Sequence, residues 1–547
     1  MEETKKMNQA GTTGSEKQVL LKNGFIVDGT GAKGFVGDLL IQGSQIREVS
    51  PQPIAFAGET LDCTDKVISP GFIDAHSHMD RSLAYQGHED LKNPFTAQGC
   101  TTFVAGNCGS SVGSLRRGNP YLSQITLFEK FPQPVTWDSM GGYFSHLEQI
   151  GLSHNLVMLT GHGTEWITLR GRNPNPFSAD EKAAILYRLE EALDQGAAGV
   201  SFGLQYEPDI FCPPEQIREV ARLLKRKNKI LTVHGRAYSK ISGAYRDRET
   251  PHNVLALREM IEIARETGVR LQYSHLMFAG TKSFPSYAEC LETIEKAVAG
   301  GVDVMTDTYS YHCGYSVINV ILPAWFLADL PANYHNPEAV ERVERGLNRM
   351  PEHIGFGFDD IQIMYADHPD LRKYDGWFLS EIAKDLGFSP GKTTLLLSEK
   401  TKSRTHILNH HYSDMEIIDA LISHPACLFM TDSTVSVTGL QNPASFGSFA
   451  LVLQYARDRR LVSLEEVVHW MTGATAERFN LKDRGFLKKG YAADITVFDW
   501  KRVKDNNTVT QTDRAPRGIE AVFINGCQVK HFDQVAGSAN AGKVIRI

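Results

Sequence analysis

The middle of the chain alternates between two kinds of hydrophobic pattern. Short runs that are mostly apolar (TTFVAG, NLVMLTG, GVSFGL, ILTVHG, LQYSHL, VDVMTDTY and CLFMTD) alternate with helix-patterned stretches. Examples of the latter are SADEKAAILYRLEEALDQG, PPEQIREVARLLKRKN, NVLALREMIEIARETG and PSYAECLETIEKAVAGG. The first kind predicts buried strands and the second amphipathic helices. Several helical stretches open on Ser, Asn or Pro and close on Gly, which are the residues that satisfy helix ends. Strand and helix alternating about eight times predict a parallel α/β fold. The expected form is a closed (β/α)8 TIM barrel, because the candidate ligands described below all lie at the C-terminal ends of such strands.

The ends of the chain read differently. VLLKNGFIVDGTGAKGFVGDLLIQGSQIREVSP near the start, and ADITVFDW and AVFINGCQVKHF near the finish, are short β-rich runs broken by Asn-Gly and Gly turns. Both ends are therefore expected to build one small β-sandwich domain, from residues 18–66 and 484–547. Residues 1–17 are polar and read as a disordered tail, which leaves 67–483 for the barrel. One stretch breaks the rhythm. Residues 313–375 are rich in Pro, Tyr, Trp and Phe, and a long insertion between barrel elements is expected to act as a lid over the site.

Composition narrows the class of partner. The 547 residues are 42% hydrophobic and 22% charged with a formal net charge of −7, ordinary for a globular chain. No basic run is present to bind nucleic acid or a membrane surface. No segment approaches the ~20 apolar residues of a membrane span, and the first residues lack the apolar core of a signal peptide. The eight cysteines are scattered without a C-x-x-C pair and read as reduced thiols. A cytoplasmic enzyme acting on a small molecule is the expectation; the oligomeric state is open, and a homo-oligomer is compatible with it.

Candidate chemistry lies at five strand ends. In PGFIDAHSHMD, His76 and His78 are two apart, so on a strand they share a face and can bind one Zn²⁺. In GNCGSS, Cys108 stands between glycines after an apolar run, where a thiolate is either a soft metal ligand or a nucleophile partnered by a histidine. ILTVH, LQYSH and CLFMTD end in His234, His275 and Asp432. One Cys, four His and one Asp in this order point to a metal site, and the donor types favour zinc over magnesium or calcium.

These motifs resemble the amidohydrolase superfamily, in particular its N-acyl-D-amino-acid deacylase (D-aminoacylase) branch. The resemblance runs from about residue 19 to 530. It includes NGFIVDGTG, PGFIDAHSHMD, GNCG, GHGTEWITLRGR, GVSFGLQYEP, VHGRAYS, YSHL, DTYSY, MTDS and GYAADITVFD in order. It implies a TIM-barrel hydrolase in which Cys108, His234 and His275 hold one tight zinc. His76 and His78 would form a weaker second site bridged by Cys108, and Asp432 would be ligand and general base/acid. Tyr309 is a candidate hydroxyl for the tetrahedral intermediate, and His162 a candidate support behind the ligands.

The resemblance fails where the branch holds its substrate's carboxylate. Met277 stands where a Lys is expected and Ala444 where an Arg is expected, and the expected serine is displaced, with Tyr315 in its place and Ser316 following. Two lost cations remove charge-assisted bonds worth about 1.5–3 kcal/mol each. Arg236, Arg170 and Arg172 are the remaining local cations. The expected substrate is an N-acyl amine or other neutral amide, in a pocket drawn from Met277, Tyr309, Tyr311, Tyr315, Trp325 and Phe326. A hydantoinase-like cyclic amidase and a non-catalytic metal-binding barrel are the competing readings.

Overall fold

The computed structural model describes residues 17–84, 89–125, 134–532, 534–535 and 540–547. All but the last residue of the 1–17 tail therefore lies outside the described residues. Eight parallel strands form the central sheet: β1 (Phe72–Asp74), β2 (Cys100–Ala105), β3 (Asn155–Gly161), β4 (Gly199–Gly203), β5 (Ile230–His234), β6 (Arg270–Tyr273), β7 (Val304–Thr308) and β8 (Cys427–Phe429). They are hydrogen-bonded in sequence order. β8 meets β1 through the Ala75 N–H to the Phe429 carbonyl at 3.3 Å and the Asp432 N–H to the His76 carbonyl at 2.9 Å, which closes the TIM barrel. Strands β2 to β5 are buried at every position. Both faces are covered, so these strands read as continuous apolar runs rather than alternating ones.

The helices follow the predicted pattern. Ala179–Asp194 starts at a capping box between Ser178 and Glu181. Pro214–Lys227 buries Ile217, Val220 and Leu224 and ends on Asn228 in the left-handed region at φ 54°. His252–Thr267 ends on Gly268 at φ 68°. Each is followed by the next barrel strand, so each strand end and its following loop are returned to the same rim.

The two chain ends build one nine-stranded sheet. Its halves join where Val67–Pro70 pairs antiparallel with Ile495–Phe498. Leu21, Ile26, Ile68, Val497 and Phe523 form a common core beneath it. Asn525 and Gly526, at φ 46° and 77°, make the tight turn between Ile519–Ile524 and Cys527–His531. The Asp494 carboxylate ties this sheet to the barrel, accepting from Asn155 Nδ2 at 2.9 Å and from the Asn525 N–H at 2.7 Å. The last residues return to the barrel, where Val544 and Ile545 pair with Leu156 and Val157 of β3.

The insertion is longer than the stretch 313–375. It lies within 309–426, the segment between β7 and β8, whose last helix, Met415–Ile422, packs Ile417, Ile418 and Leu421 into the barrel core. It carries its own antiparallel sheet, with Thr405–Asn409 between Gly314–Val317 and Ile361–Ala366. Phe326, Val343, Ile363, Ile382, Leu397 and Ile407 pack beneath it. Among the described residues no helix is long and apolar enough to cross a membrane.

Candidate metal centre

His76 and His78 lie just beyond β1 rather than on it. Asp74, the last residue of that strand, accepts from the Thr431 N–H at 3.0 Å and the Thr431 hydroxyl at 2.6 Å. One buried carboxylate thus pins the loop carrying His76 to the loop carrying Asp432. The GNCG loop follows β2 and needs its glycines. At Gly106, φ +85°, a Cβ would meet the Leu159 carbonyl at 2.3 Å, and at Gly109, φ +71°, it would meet Asp209 Oδ2 at 2.4 Å. Cys108, His275 and Asp432 themselves adopt φ of 51°, 34° and 48°. Such conformations cost about 1–3 kcal/mol each in residues with a Cβ and cluster where a site requires them.

These loops bring all six predicted ligands together, buried at the C-terminal rim of the barrel. Two groups share Cys108: His76, His78, Cys108 and Asp432, and Cys108, His234 and His275, with the donor atoms of each group within 4.8 Å of one another. Cys108 Sγ lies 3.4 Å from His76 Nε2, 3.8 Å from His234 Nδ1 and 3.6 Å from His275 Nε2. His234 Nδ1 and His275 Nε2 are 2.9 Å apart. Asp432 Oδ1 is 3.1 Å from His76 Nε2 and 3.3 Å from His78 Nε2.

The charges of the site are set by burial and by one another. Burial opposes the Cys108 thiolate, but His76, His234 and His275 around it hold the thiol well below its usual range. Burial likewise opposes the Asp432 carboxylate, which His275, His76 and His78 hold well below the usual carboxylate range. Burial, with His275 beside it, brings His234 down to about 4, so it is a neutral imidazole. A thiolate, a carboxylate and a neutral imidazole are states that ligate a divalent cation. His76 and His78, which burial pushes down but Cys108 and Asp432 hold above the usual imidazole range, would have to release protons to do so.

Several residues behind the ligands carried no separate signal in the sequence. Gln205 Oε1 accepts from His234 Nε2 at 2.9 Å. Asp307 accepts the His275 N–H at 2.7 Å and the Gln272 side-chain amide at 2.7 Å. The Tyr238 ring stands edge-on to His234 at 4.8 Å, and the Tyr206 ring lies 4.6 Å from the same imidazole. Gln205 and Tyr206 sit in GVSFGLQYEP and Asp307 in DTYSY, at the ends of strand runs whose pattern does not single them out. His162 is satisfied away from the ligands. Its Nδ1 lies 2.6 Å from Asp209 Oδ1, and its Nε2 accepts from Gln216 at 2.9 Å. It supports the site at one remove, because Asp209 Oδ2 accepts the Gly203 N–H at 3.0 Å and lies against Gly109.

The candidate substrate residues divide. Met277 lines a cavity together with Gln205 and Tyr238, and its sulfur accepts the Tyr309 hydroxyl at 3.3 Å. Ser316 faces inward, its hydroxyl 3.3 Å from that of Tyr206. Tyr315, the next residue along the strand, points the other way, its hydroxyl 3.2 Å from His406 Nδ1. Tyr311 bonds to Asn507 at 3.2 Å, while Phe326 is core. Trp325 lies on the outer part of the cavity. Arg236 is taken by Glu259 at 3.1 Å, Arg170 by Glu181 at 2.9 Å and Arg172 by Glu207 at 3.1 Å. Ala444 is buried at the start of a helix, its carbonyl facing Gln98.

Fold and donor set together define a class, the metal-dependent TIM-barrel hydrolases. The family model described as "Amidohydrolase family" matches residues 67–529. D-aminoacylase of Alcaligenes xylosoxydans xylosoxydans is 30% identical over 538 residues, covering 96% of this chain and 97% of that one. N-acyl-D-glutamate deacylase of the same organism is 28% identical, covering 96% of each. The crystal structure of N-acyl-D-glutamate deacylase from Bordetella bronchiseptica, complexed with zinc and a phosphonate inhibitor, superposes with a TM-score of 0.79 at 26% identity. It covers 98% of this chain and 100% of its own. A D-hydantoinase from Thermus sp., at 15% identity and a TM-score of 0.55, shares the fold. The chain belongs to the amidohydrolase family and is a hydrolase of carbon–nitrogen bonds other than peptide bonds.

Proposed function

We propose that this enzyme hydrolyses a small neutral amide, with zinc held by Cys108, His234 and His275. His76, His78 and Asp432 form a second, weaker site that shares Cys108. The donor set fits that ion. Zinc bonds of ~2.0–2.3 Å at tetrahedral angles place donors roughly 3.3–3.7 Å apart. Sγ to the two imidazole nitrogens measures 3.8 and 3.6 Å, close to that span, while the two nitrogens, 2.9 Å apart, would have to separate slightly around the ion. Zinc bound there supplies Lewis acidity, which acidifies water and polarises a carbonyl.

The side chains provide the rest. Asp432 is held as a carboxylate and is the base that takes a proton from the attacking water and delivers it to the leaving nitrogen. Tyr309, whose hydroxyl makes a weak bond to the Met277 sulfur, is the hydroxyl for the developing oxyanion. The insertion acts as the lid, since its residues form one wall of the cavity beside Gln205 and Met277.

The observation that carries the neutral substrate is the pairing of a complete donor set with spent cations. Met277 replaces the expected lysine, and Arg236, Arg170 and Arg172 are each engaged by an acid. A free substrate carboxylate would find no open partner among these four residues.

The test is metal content and hydrolysis of N-acyl-D-amino acids, neutral N-acyl amines and cyclic imides by wild type and Asp432→Ala. Zinc near or above one per chain, with neutral amides preferred and activity lost in the variant, is expected. Equal turnover of N-acetyl-D-methionine would overturn the neutral-substrate reading. Turnover by metal-free protein would overturn the zinc reading and point to Cys108 as nucleophile. A preference for cyclic imides would establish the hydantoinase-like alternative.

A further inference from the structure

Two cavities meet at Gln205 and Val320: the smaller is bounded by Cys108 itself, and the larger by Gln205 and Tyr238, which stand against His234. The smaller, about 40 Å³, is bounded by Cys108, Ser110, Thr164, Ile167 and Asn319. One water needs roughly 10–15 Å³ of such space, so this crevice holds about three, the bulk of a group with one or two carbons. The larger, about 680 Å³, runs outward between the loops after β4, β5 and β6 and the insertion. Met277, Ile321, Trp325, Leu347, Ile354 and Phe356 are among its walls.

Several polar groups on that larger cavity are engaged by the protein, although the buried Asn409 Oδ1 accepts no hydrogen bond from the described residues. Arg236 is bound by Glu259. The Tyr238 hydroxyl donates to the Ser274 carbonyl at 2.9 Å, and Asn409 Nδ2 donates to the Tyr412 hydroxyl at 2.6 Å. At the outer end, the exposed Arg342 guanidinium lies 4.2 Å from the centre of the Trp325 ring. What remains facing inward is mostly hydrocarbon, in a volume within the ~300–1,000 Å³ range of ligand sites. Each methylene moved from water into such a space is favourable by about fourfold in affinity.

Resting on the hydrolase reading above, we propose that the substrate is an unsymmetrical amide. One arm has one or two carbons and sits beside Cys108. The other is a long apolar chain that leaves past Gln205 and Met277 and fills the cavity under the insertion. Hydrolysis adds water across the carbon–nitrogen bond, releasing a carboxylic acid and an amine. The long chain ends up on one of these products, according to which side of the amide it occupies.

Calorimetric binding of two compound series to the metal-loaded enzyme tests this. One series is N-acetyl-alkylamines from ethyl to octyl, and the other N-methyl-alkanamides of matching length. In at least one series affinity should rise about fourfold per methylene, and that series identifies the side of the amide that carries the chain. Ala324→Phe, which narrows the cavity, should abolish the gain for the longest chains and leave ethyl binding within about twofold. Trp325→Ala, on the exposed outer wall, should weaken octyl binding and leave ethyl binding unchanged, and melting temperatures report whether either variant is folded. Affinity independent of chain length in both series would overturn the proposal. Chain-dependent binding without hydrolysis of any compound would uphold the cavity and overturn the hydrolase reading instead.

Discussion

The side-chain oxygen of Gln205 accepts the Nε2 proton of His234 at 2.9 Å. That bond sets the tautomer, because an imidazole protonated at Nε2 presents a lone pair at Nδ1, the atom that faces Cys108. Gln205→Leu removes the acceptor while keeping the bulk. The expected result is metal affinity lower by roughly 10- to 100-fold with little change in melting temperature of the metal-free protein. Competition against a coloured chelator measures it, and unchanged affinity would show that Gln205 does not orient His234.

Asp432→Asn separates base from ligand. The amide keeps the shape but cannot take a proton at neutral pH, so kcat should fall by about 10²–10⁴-fold. Metal at the Cys108, His234 and His275 group should persist, since Asp432 belongs to the other group. Steady-state kinetics beside metal analysis of the same preparation distinguishes the two effects. Loss of all metal in this variant would mean that the two groups do not act separately.

Met277→Lys restores a cation where the resemblance expects one. One charge-assisted bond to a carboxylate, about 1.5–3 kcal/mol, corresponds to a gain of roughly 10- to 100-fold in kcat/KM for N-acyl-D-amino acids. The companion change at Ala444 should not help. That residue is buried at the first turn of its helix with its carbonyl on Gln98, so an arginine there is expected to destabilise the fold by several kcal/mol. Kinetics and melting temperature of the two single variants check both statements.

His154 predicts an acid-sensitive fold. It is buried between the hydroxyls of Thr96 and Ser153, both at 2.9 Å, and burial with nearby Lys92 lowers it to about 3. The unfolded chain binds this proton near the ordinary pKa of ~6.5. Above that pH the group costs nothing. As pH falls from about 6.5 toward 3 the unfolded state gains the proton first, so stability is lost at about 1.4 kcal/mol per pH unit. Denaturant unfolding across this window should show a slope shallower by that amount in His154→Gln. An unchanged slope would mean that the proton is taken up in the folded state.

Periodicity alone determined that this chain alternates buried strands and amphipathic helices, because both patterns are local: strand runs covered on both faces and helical stretches with caps can be read within about twenty residues. The turn residues at both ends were readable for the same reason, as Asn525 and Gly526 show. The six candidate ligands were readable because each is a chemically distinctive residue placed where a strand run stops. What the sequence left undecided depends on contacts between distant segments. Strand closure by Asp432 and His76, the assignment of His162 to Asp209 rather than to the ligands, and the engagement of Arg236 by Glu259 join residues far apart in the chain. The same holds for the insertion, whose strands Gly314–Val317 and Thr405–Asn409 pair antiparallel across about ninety residues and so leave no local period to read. Tertiary structure decided which cations are spent, which of Tyr315 and Ser316 faces inward, and how far the apolar cavity extends, because packing, not pattern, fixes where a side chain points.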